Sequence, residues 1–201
     1  HADSAMYQAK RDRSVYSHYD KNVDFFSQNR LTLVQDLRYA IENDKLMLYY
    51  QPQFNCRANQ VFGAEALVRW NHPEFGFIQP EKIVDLAEYN GDIHKLTLWV
   101  ISTAIKECRA WHEKGFNINV SVNLSVQDLN NESLCDQVAE LLQSNQMEAP
   151  YLTLEVTESG MMENPALSIE MLKQLQDMGI KLSVDDFGTG YSSLNYLKHF
   201  P

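Results

Sequence analysis

Cysteine is scarce in this chain, and neither its cysteines nor its histidines are spaced like the ligands of a zinc site. The three cysteines, Cys56, Cys108 and Cys135, are few and widely separated. They indicate free thiols in a reducing compartment, so we expect a cytoplasmic location. The six histidines are scattered as well, and we interpret His72 and His112 as surface residues rather than metal ligands.

The chain also lacks an excess of positive charge and any long apolar segment. Its 17 basic residues are outnumbered by 27 acidic residues, which gives a net charge of −10 and argues against a DNA partner. No run approaches the ~20 apolar residues of a membrane span, so we expect no membrane contact from this segment. An anionic substrate would have to be met by local positive charge or by metal.

What the sequence does contain is a regular alternation of strands and helices. Its period of about thirty residues is typical of parallel βαβ units. We predict that helices begin at the caps Asp92 and Asn164 and end at Gly115 and Gly179. This order predicts an α/β fold, and both a (β/α)8 barrel and a doubly wound sheet fit it. The predicted strands in this part are NINVSVNLS, YLTLEVTES and KLSVDD.

Earlier in the chain, side-chain spacing and proline set the predicted boundaries. A helix is predicted over about residues 22–43, because its leucines and isoleucine recur at four-residue spacing on one face. The strand KLMLYYQP is predicted to end at Pro52, and VFGAEALVRW is predicted to be the second strand. The segment HPEFGFIQP is predicted to be a loop.

Alternation along the strands predicts a polar face that carries oxygen ligands. Successive side chains point to opposite faces, so Asn123, Glu155 and Asp185 share the polar face near three strand ends, and Glu65 lies on a fourth strand. In a barrel these ends converge at one mouth, where the active sites of that architecture lie. Taken singly, Asn123 is also explained as a helix cap, and Asp185–Asp186 as turn residues.

Carboxylates gathered at one mouth require compensation, because unpaired buried charges are costly. Magnesium, manganese and calcium are the cations that prefer such oxygen ligands. Two metals about 3.5–4 Å apart would suit phosphodiester chemistry. Asp186 points to the opposite face in a regular strand, but the turn at Phe187–Gly188 can direct it toward the same mouth.

The segments that carry these residues resemble the EAL family of cyclic-di-GMP phosphodiesterases. The similar motifs, in the family's order and spacing, are YYQPQ, GAEALVRWNHPEFGFIQP, SVNLSVQDL, LEVTES and DDFGTGYSSLNYLK. A shorter segment, ADSAMYQAK, resembles the last helix of a GGDEF (diguanylate cyclase) domain. The resemblance implies a GGDEF C-terminal helix over residues 1–16, a linker helix over 17–35 and a truncated EAL phosphodiesterase domain over 36–201.

The resemblance also implies a fold and a reaction. The fold would be an EAL-type TIM (β/α)8 barrel with an antiparallel first strand, C-terminally incomplete in this chain. The reaction would be the hydrolysis of cyclic-di-GMP to linear pGpG with two Mg2+ or Mn2+ ions. The family's metal ligands fall on Glu65, Asn123, Glu155, Asp185 and Asp186, and its catalytic positions fall on Glu65, Asp185, Asp186 and Glu158.

Further expectations follow from the same resemblance. Gln51 and Arg69 match substrate-contacting positions, and the fork of donors on Arg69 suits a phosphate. The loop over residues 187–194 is tied in the family to metal binding and dimerisation, so a homodimer is expected. The family's later strands supply a lysine, a glutamate and a glutamine that do not occur before Pro201 ends the sequence. We therefore expect the 201 residues alone to be weakly active or inactive.

Two other functional classes stay open. Relatives that lack metal ligands serve as catalytically inactive cyclic-di-GMP receptors or dimerisation modules, whereas this sequence keeps every ligand position up to its end. A different TIM-barrel metalloenzyme acting on a sugar phosphate is supported by fold alone. Turnover of cyclic-di-GMP, as opposed to saturable binding without product, separates a phosphodiesterase from a receptor.

Overall fold

The structure, a computed structural model, describes residues 21–157, 161 and 164–186. It begins with a long helix, α1 (Lys21–Glu42), and an antiparallel pair of strands, β1 (Met47–Asn55) and β2 (Gln60–His72). The elements that follow are β3 (Gly76–Ile78), α2 (Pro80–Asn90), α3 (Ile93–Glu113), β4 (Asn119–Asn123), α4 (Leu134–Ser144), β5 (Leu152–Thr157), α5 (Pro165–Asp177) and β6 (Lys181–Asp185).

The strands form one sheet in the order β1-β2-β4-β5-β6, with β3 paired to β2. The β1 strand runs antiparallel to β2, whereas β2, β4, β5 and β6 pair in parallel. This topology confirms the predicted α/β class and the antiparallel first strand. In the part of the chain that the structure describes, the sheet is open rather than closed into a barrel.

The predicted division of the strands into an apolar and a polar face is confirmed. Val120, Val122, Leu152 and Leu154 are completely buried, because this face of the parallel strands packs against the helices. The polar residues that alternate with them lie on the opposite face. Asn123, Thr153 and Glu155 are more exposed there, whereas Ser121 is buried as well. Helix α1 adds Leu33, Leu37 and Ile41 to the same core, as its spacing predicted.

Two predictions about the strands were wrong. The first strand does not end at Pro52, which pairs opposite Ala64 in the middle of β1. In the described sheet β1 is an edge strand, where a residue without an N–H is tolerated. The predicted loop after β2 contains the short strand β3, whose Ile78 pairs with Trp70 and is buried.

Asp92 does not cap α3 with its side chain. Its carboxylate instead accepts hydrogen bonds from Arg38 on α1, from Nε at 3.0 Å and from Nη2 at 3.1 Å. Lys95 lies 3.3 Å away, and Asn90 also donates to Asp92. Burial opposes ionisation of Asp92, but these donors outweigh it and lower the pKa of the carboxyl. Asp92 therefore fastens α1 to the junction between α2 and α3. Asn164 likewise makes no capping bond to α5.

The interpretation of His72 as a surface residue was wrong, since it is only 5% exposed. Its Nδ1 accepts the backbone N–H groups of Glu74 and Phe75, so Nε2 carries the proton and donates to Asp36 at 3.1 Å. His72 thus ties the turn after β2 to α1. His112 is half-buried, and its Nε2 lies 2.9 Å from the carbonyl oxygen of Ile118.

Helix ends at Gly115 and Gly179 are confirmed, because both glycines adopt a positive φ after their helices. No described helix is both long and apolar enough to cross a membrane. The predicted GGDEF-type helix over residues 1–16 lies outside the described residues. The predicted division into a linker helix over residues 17–35 and an EAL domain over 36–201 stays a prediction. Helix α1 crosses the boundary between these two segments without a break.

The contact between α1 and Asp92 generates the first prediction. Arg38→Ala should lower the free energy of unfolding at pH 7 by about 1.5–3 kcal/mol, because it removes the charged donors from α1 to a buried carboxylate and leaves only Lys95 and Asn90. Since the folded-state pKa of Asp92 is lowered, the contribution should be present above its unfolded pKa and be lost as the pH falls through the folded value. Urea unfolding of both proteins at pH 7 and pH 3 measures this loss.

The matched control is Arg109→Ala, which removes an exposed pair with Glu113 four residues along α3. We expect it to cost only about 0.3–0.5 kcal/mol. Equal losses for the two substitutions at pH 7 would contradict a special role for the Arg38–Asp92 contact.

Candidate functional site

The side chains predicted for the site lie on the polar face of four adjacent strands. Glu65 lies in the middle of β2, and Asn123, Glu155 and Asp185 lie at or near the C-terminal ends of β4, β5 and β6. The register pairs Asn123 with Glu155, and the parallel ladder pairs Thr157 with Asp185. The structure therefore brings these residues to one edge of the sheet, as alternation predicted.

Asn123 and Glu65 are in direct contact. The Nδ2 group of Asn123 donates to Oε1 of Glu65 at 2.7 Å, across two neighbouring parallel strands. The bond orients the amide so that its nitrogen faces the carboxylate. The amide oxygen then points elsewhere and can act as a ligand of a cation. The pair therefore contributes oxygen atoms to the same small region.

Glu155 is the member of the group whose ionisation the site opposes most clearly. Burial raises its pKa, and the negative charges of Glu65 and Asp185 raise it further. The nearby hydroxyl of Ser121 and a hydrogen bond from Gln53, whose Nε2 lies 3.3 Å from Oε1 of Glu155, lower the pKa but do not cancel the effect. Bringing these carboxylates together thus costs free energy in the absence of a cation.

Gln53 and Ser121 are site residues that the sequence reasoning did not assign. The hydroxyl of Ser121 donates to Oε1 of Gln53 at 3.4 Å, so the two form a polar support beneath Glu155. Alternation along β1 could have identified Gln53, because it lies on the same face of the strand as Gln51. Gly63 makes room for this support, since a Cβ atom there would lie 2.8 Å from Oε1 of Gln53.

Asp185 and Asp186 differ in backbone conformation at the end of β6. The strand ends at Asp185, and Asp186 has a φ of 54°, in the left-handed region, so the extended alternation stops there. The N–H of Asp186 donates to Oδ1 of Asp185 at 2.9 Å. Glu158 and the loop over residues 187–194 lie outside the described residues, so their predicted roles stay predictions.

The oxygen atoms of Glu65, Asn123, Glu155 and Asp185 are the type of ligand that a hard divalent cation prefers. They are carboxylate and amide oxygens. The pKa of Glu155 is raised mainly by burial and further by the charges of Glu65 and Asp185, and a bound cation would favour the ionised form. Among the described residues, however, no three acidic, histidine or cysteine side chains are close enough together to hold a metal ion. A complete coordination shell would thus need a rearrangement of these side chains or a further ligand.

The two predicted substrate-contacting residues occupy different positions relative to the carboxylates. Gln51 on β1 pairs directly opposite Glu65. Arg69 lies on the same face of β2, but four residues farther along, which is roughly 13 Å at the rise of a strand. Its guanidinium lies 5.4 Å from the ring centre of Tyr49, and its Nη1 donates to the carbonyl oxygen of Val68.

A cavity of about 480 Å³ opens beside Asn123, between the ends of β2 and β4 and the helices α2 and α3. Its walls are mostly apolar, and Glu88 and Ser125 are among its polar groups. The hydroxyl of Ser125 donates to Oε1 of Glu88 at 2.9 Å, which orients that carboxylate. Cavities of this size and polarity are typical of small-molecule sites.

Known proteins are similar to this chain over its whole length. The EAL domain family matches residues 34–201. The whole chain is 41% identical to the bifunctional diguanylate cyclase/cyclic di-GMP phosphodiesterase MucR of Pseudomonas aeruginosa and 38% identical to the cyclic di-GMP phosphodiesterase PdeR of Escherichia coli. In each case it spans only 30% of the relative's length.

Solved structures confirm the predicted EAL-type barrel architecture. The structure of PaMucR phosphodiesterase in complex with c-di-GMP superposes with a TM-score of 0.80 at 42% identity. The superposition covers 85% of this chain and 69% of the other. The EAL enzyme Bd1971, in a form bound to cAMP and cyclic-di-GMP, gives a TM-score of 0.77 at 28% identity, over 87% of this chain and 49% of that one.

The electrostatics of Glu155 generate the second prediction. Because the folded-state pKa of this acid is raised, its contribution to stability is present below the unfolded pKa and is lost as the pH rises through the folded value. In buffer with EDTA, Glu155→Gln should therefore raise the melting temperature at pH 7, and the gain should shrink toward pH 4. Differential scanning calorimetry measures both values.

Glu148→Gln is the control, because Glu148 is an exposed glutamate outside the site. A lower melting temperature for Glu155→Gln than for the wild type at pH 7 would contradict the repulsion described above. A gain that is the same at pH 4 and pH 7 would contradict its assignment to ionised Glu155.

Proposed function

This chain belongs to the EAL domain family, and from that premise we propose that it hydrolyses cyclic-di-GMP to linear pGpG as a divalent-metal-dependent phosphodiesterase of bacterial second-messenger signalling. The observation that carries the proposal is the group formed by Glu65, Asn123, Glu155 and Asp185 at one edge of the sheet. The contact between Asn123 and Glu65 and the raised pKa of Glu155 support its assignment as the catalytic centre.

In this proposal Glu65, Asn123, Glu155, Asp185 and Asp186 would hold Mg2+ or Mn2+, two ions in all. When bound, such ions supply a water of lowered pKa and stabilise negative charge on the reacting phosphate. The carboxylates provide the negative charge that recruits the ions in a site where their own repulsion is otherwise uncompensated. Glu158 would steady the loop after β6.

The remaining assignments concern the substrate. Arg69 would bind a phosphate through its fork of donors, and Gln51 would bind beside Glu65. Local positive charge of this kind is needed, because the chain carries a net charge of −10. The cavity beside Asn123 has the volume and the apolar walls to accept a nucleobase, and the carboxylate of Glu88 would accept its N–H groups.

The chain covers less than a third of its curated relatives, so the behaviour of the whole protein is also proposed. We infer a homodimer formed through the EAL domain and a cytoplasmic site of action. The proposed substrate is a diffusible dinucleotide, which is consistent with a cytoplasmic site of action. Binding of cyclic-di-GMP by the intact protein without formation of pGpG would identify the alternative class, a cyclic-di-GMP receptor or dimerisation module.

The third prediction tests the reaction itself. In the intact protein with Mg2+ or Mn2+, Glu65→Gln should lower the rate of pGpG formation by roughly a hundredfold or more, because it removes an anionic ligand and the partner of Asn123. Chromatographic separation of cyclic-di-GMP from pGpG measures the rate. EDTA should abolish the wild-type activity, and added Mn2+ should restore it.

Glu113→Gln serves as the control, since Glu113 is exposed on α3 and far from the site in the fold. It should leave the rate unchanged. Saturable binding of cyclic-di-GMP by the wild type without any product would overturn the phosphodiesterase proposal in favour of a receptor.

A further inference from the structure

A buried carboxylate lies directly behind the end of β4, outside the residues assigned to metal or substrate. Asp128 is 0% exposed. Its Oδ2 accepts the hydroxyl of Thr97 at 2.6 Å and the backbone N–H of Ser125 at 3.2 Å, and its Oδ1 lies 3.1 Å from Nδ1 of His94. A carboxylate without solvent contact is tolerated only where donors satisfy it in this way.

These contacts fix the short segment that follows Asn123. The N–H of Leu124 donates to the carbonyl oxygen of Glu155 at 2.8 Å, and the N–H of Asp128 returns to the carbonyl oxygen of Ser125 at 3.0 Å. The Oγ of Ser125 accepts the N–H of Gln127 at 3.2 Å. Together with the bond from the N–H of Ser125 to Oδ2 of Asp128, these bonds close a turn over residues 125–128.

The donors to Asp128 come from elements that surround the site. Thr97 and His94 lie in the first two turns of α3, and the Nε2 of His94 lies 2.6 Å from the side chain of Gln137 on α4. On the other side, Ser125 holds Glu88 of α2. Asp128 therefore joins α3 to the end of β4, and through Ser125 to the wall of the cavity.

We propose that Asp128 is a positioning residue, which fixes residues 123–125 so that Asn123 and Glu88 are held in their places for the reaction. The inference rests on the proposed function, because it names a role in that reaction. Asp128 itself does not line the cavity. It acts through the backbone of Ser125 and through Asn123, whose amide contacts Glu65.

The test is Asp128→Asn in the intact protein. The variant has the same shape, but one acceptor oxygen becomes an N–H donor, so it cannot satisfy Ser125, Thr97 and His94 together. Because misplacement of a site residue by about 1 Å can cost roughly a hundredfold in rate, we expect kcat for pGpG formation to fall about tenfold or more. KM should change much less. Because a loss of folded protein would also lower the apparent kcat at constant KM, the rates are compared per mole of folded protein, measured by circular dichroism.

Cys108→Ala is the matched control. Cys108 is equally buried, and its Sγ donates to the carbonyl oxygen of Ile118, at the opposite end of β4 from Asn123. The Cys108→Ala substitution should reduce the stability of the protein but leave kcat unchanged. If Asp128→Asn does not fold, Thr97→Val removes one donor to Asp128, and Thr97→Ser, which keeps the hydroxyl, should restore kcat.

Hydrogen–deuterium exchange measured by mass spectrometry supplies a readout that is independent of activity. Asp128→Asn, or Thr97→Val in its place, should accelerate exchange in the segment over residues 123–129, and Cys108→Ala should not. If the wild type forms no pGpG, the phosphodiesterase proposal fails, whereas exchange in this segment still decides whether Asp128 fixes it. Unchanged exchange, or an equal loss of kcat in Cys108→Ala, would overturn the positioning role.

Discussion

Repulsion between like charges at one edge of the sheet is the constraint on which the rest of the structure depends. Parallel pairing of β4, β5 and β6 with β2 brings Glu65, Glu155 and Asp185 into one region. Hydrophobic burial on the opposite face of the same strands drives this arrangement, because the register that buries Val122 and Leu154 also directs the acidic residues to the other face. The core therefore imposes the proximity that electrostatics opposes.

The polar residues around the carboxylates are arranged to reduce that cost without removing it. Asn123 donates to Glu65, and Gln53 donates to Glu155, yet the pKa of Glu155 stays raised. A site fully neutralised by protein donors would have little electrostatic reason to bind a cation. The residual repulsion thus favours cation binding, at the expense of stability in the cation-free protein.

Much of this arrangement could be predicted from the sequence, because period-2 alternation depends on local geometry alone. Alternation assigned Glu65, Asn123, Glu155 and Asp185 to one face before any tertiary contact was considered. The errors concern features that depend on tertiary partners. Asp92 has the ordinary position of a helix cap but binds Arg38, which is 54 residues away in the sequence. His72 is buried because Asp36 and the turn after β2 satisfy both of its ring nitrogens. Pro52 continues its strand because β1 lies at the edge of the described sheet, and strand order is not evident from local sequence.

The beginning of α3 connects two polar clusters that are separate in function. Asp92, just before the helix, is held by Arg38 of α1, while His94 and Thr97 hold Asp128 behind the end of β4. The two clusters are thus only two residues apart along one helical turn. The contact with α1 and the support of Asp128 therefore share the same short stretch of backbone at the start of α3. Helix α1 and the strand end that carries Asn123 are therefore joined by hydrogen bonds through the first turns of α3 and Asp128, in addition to the apolar core.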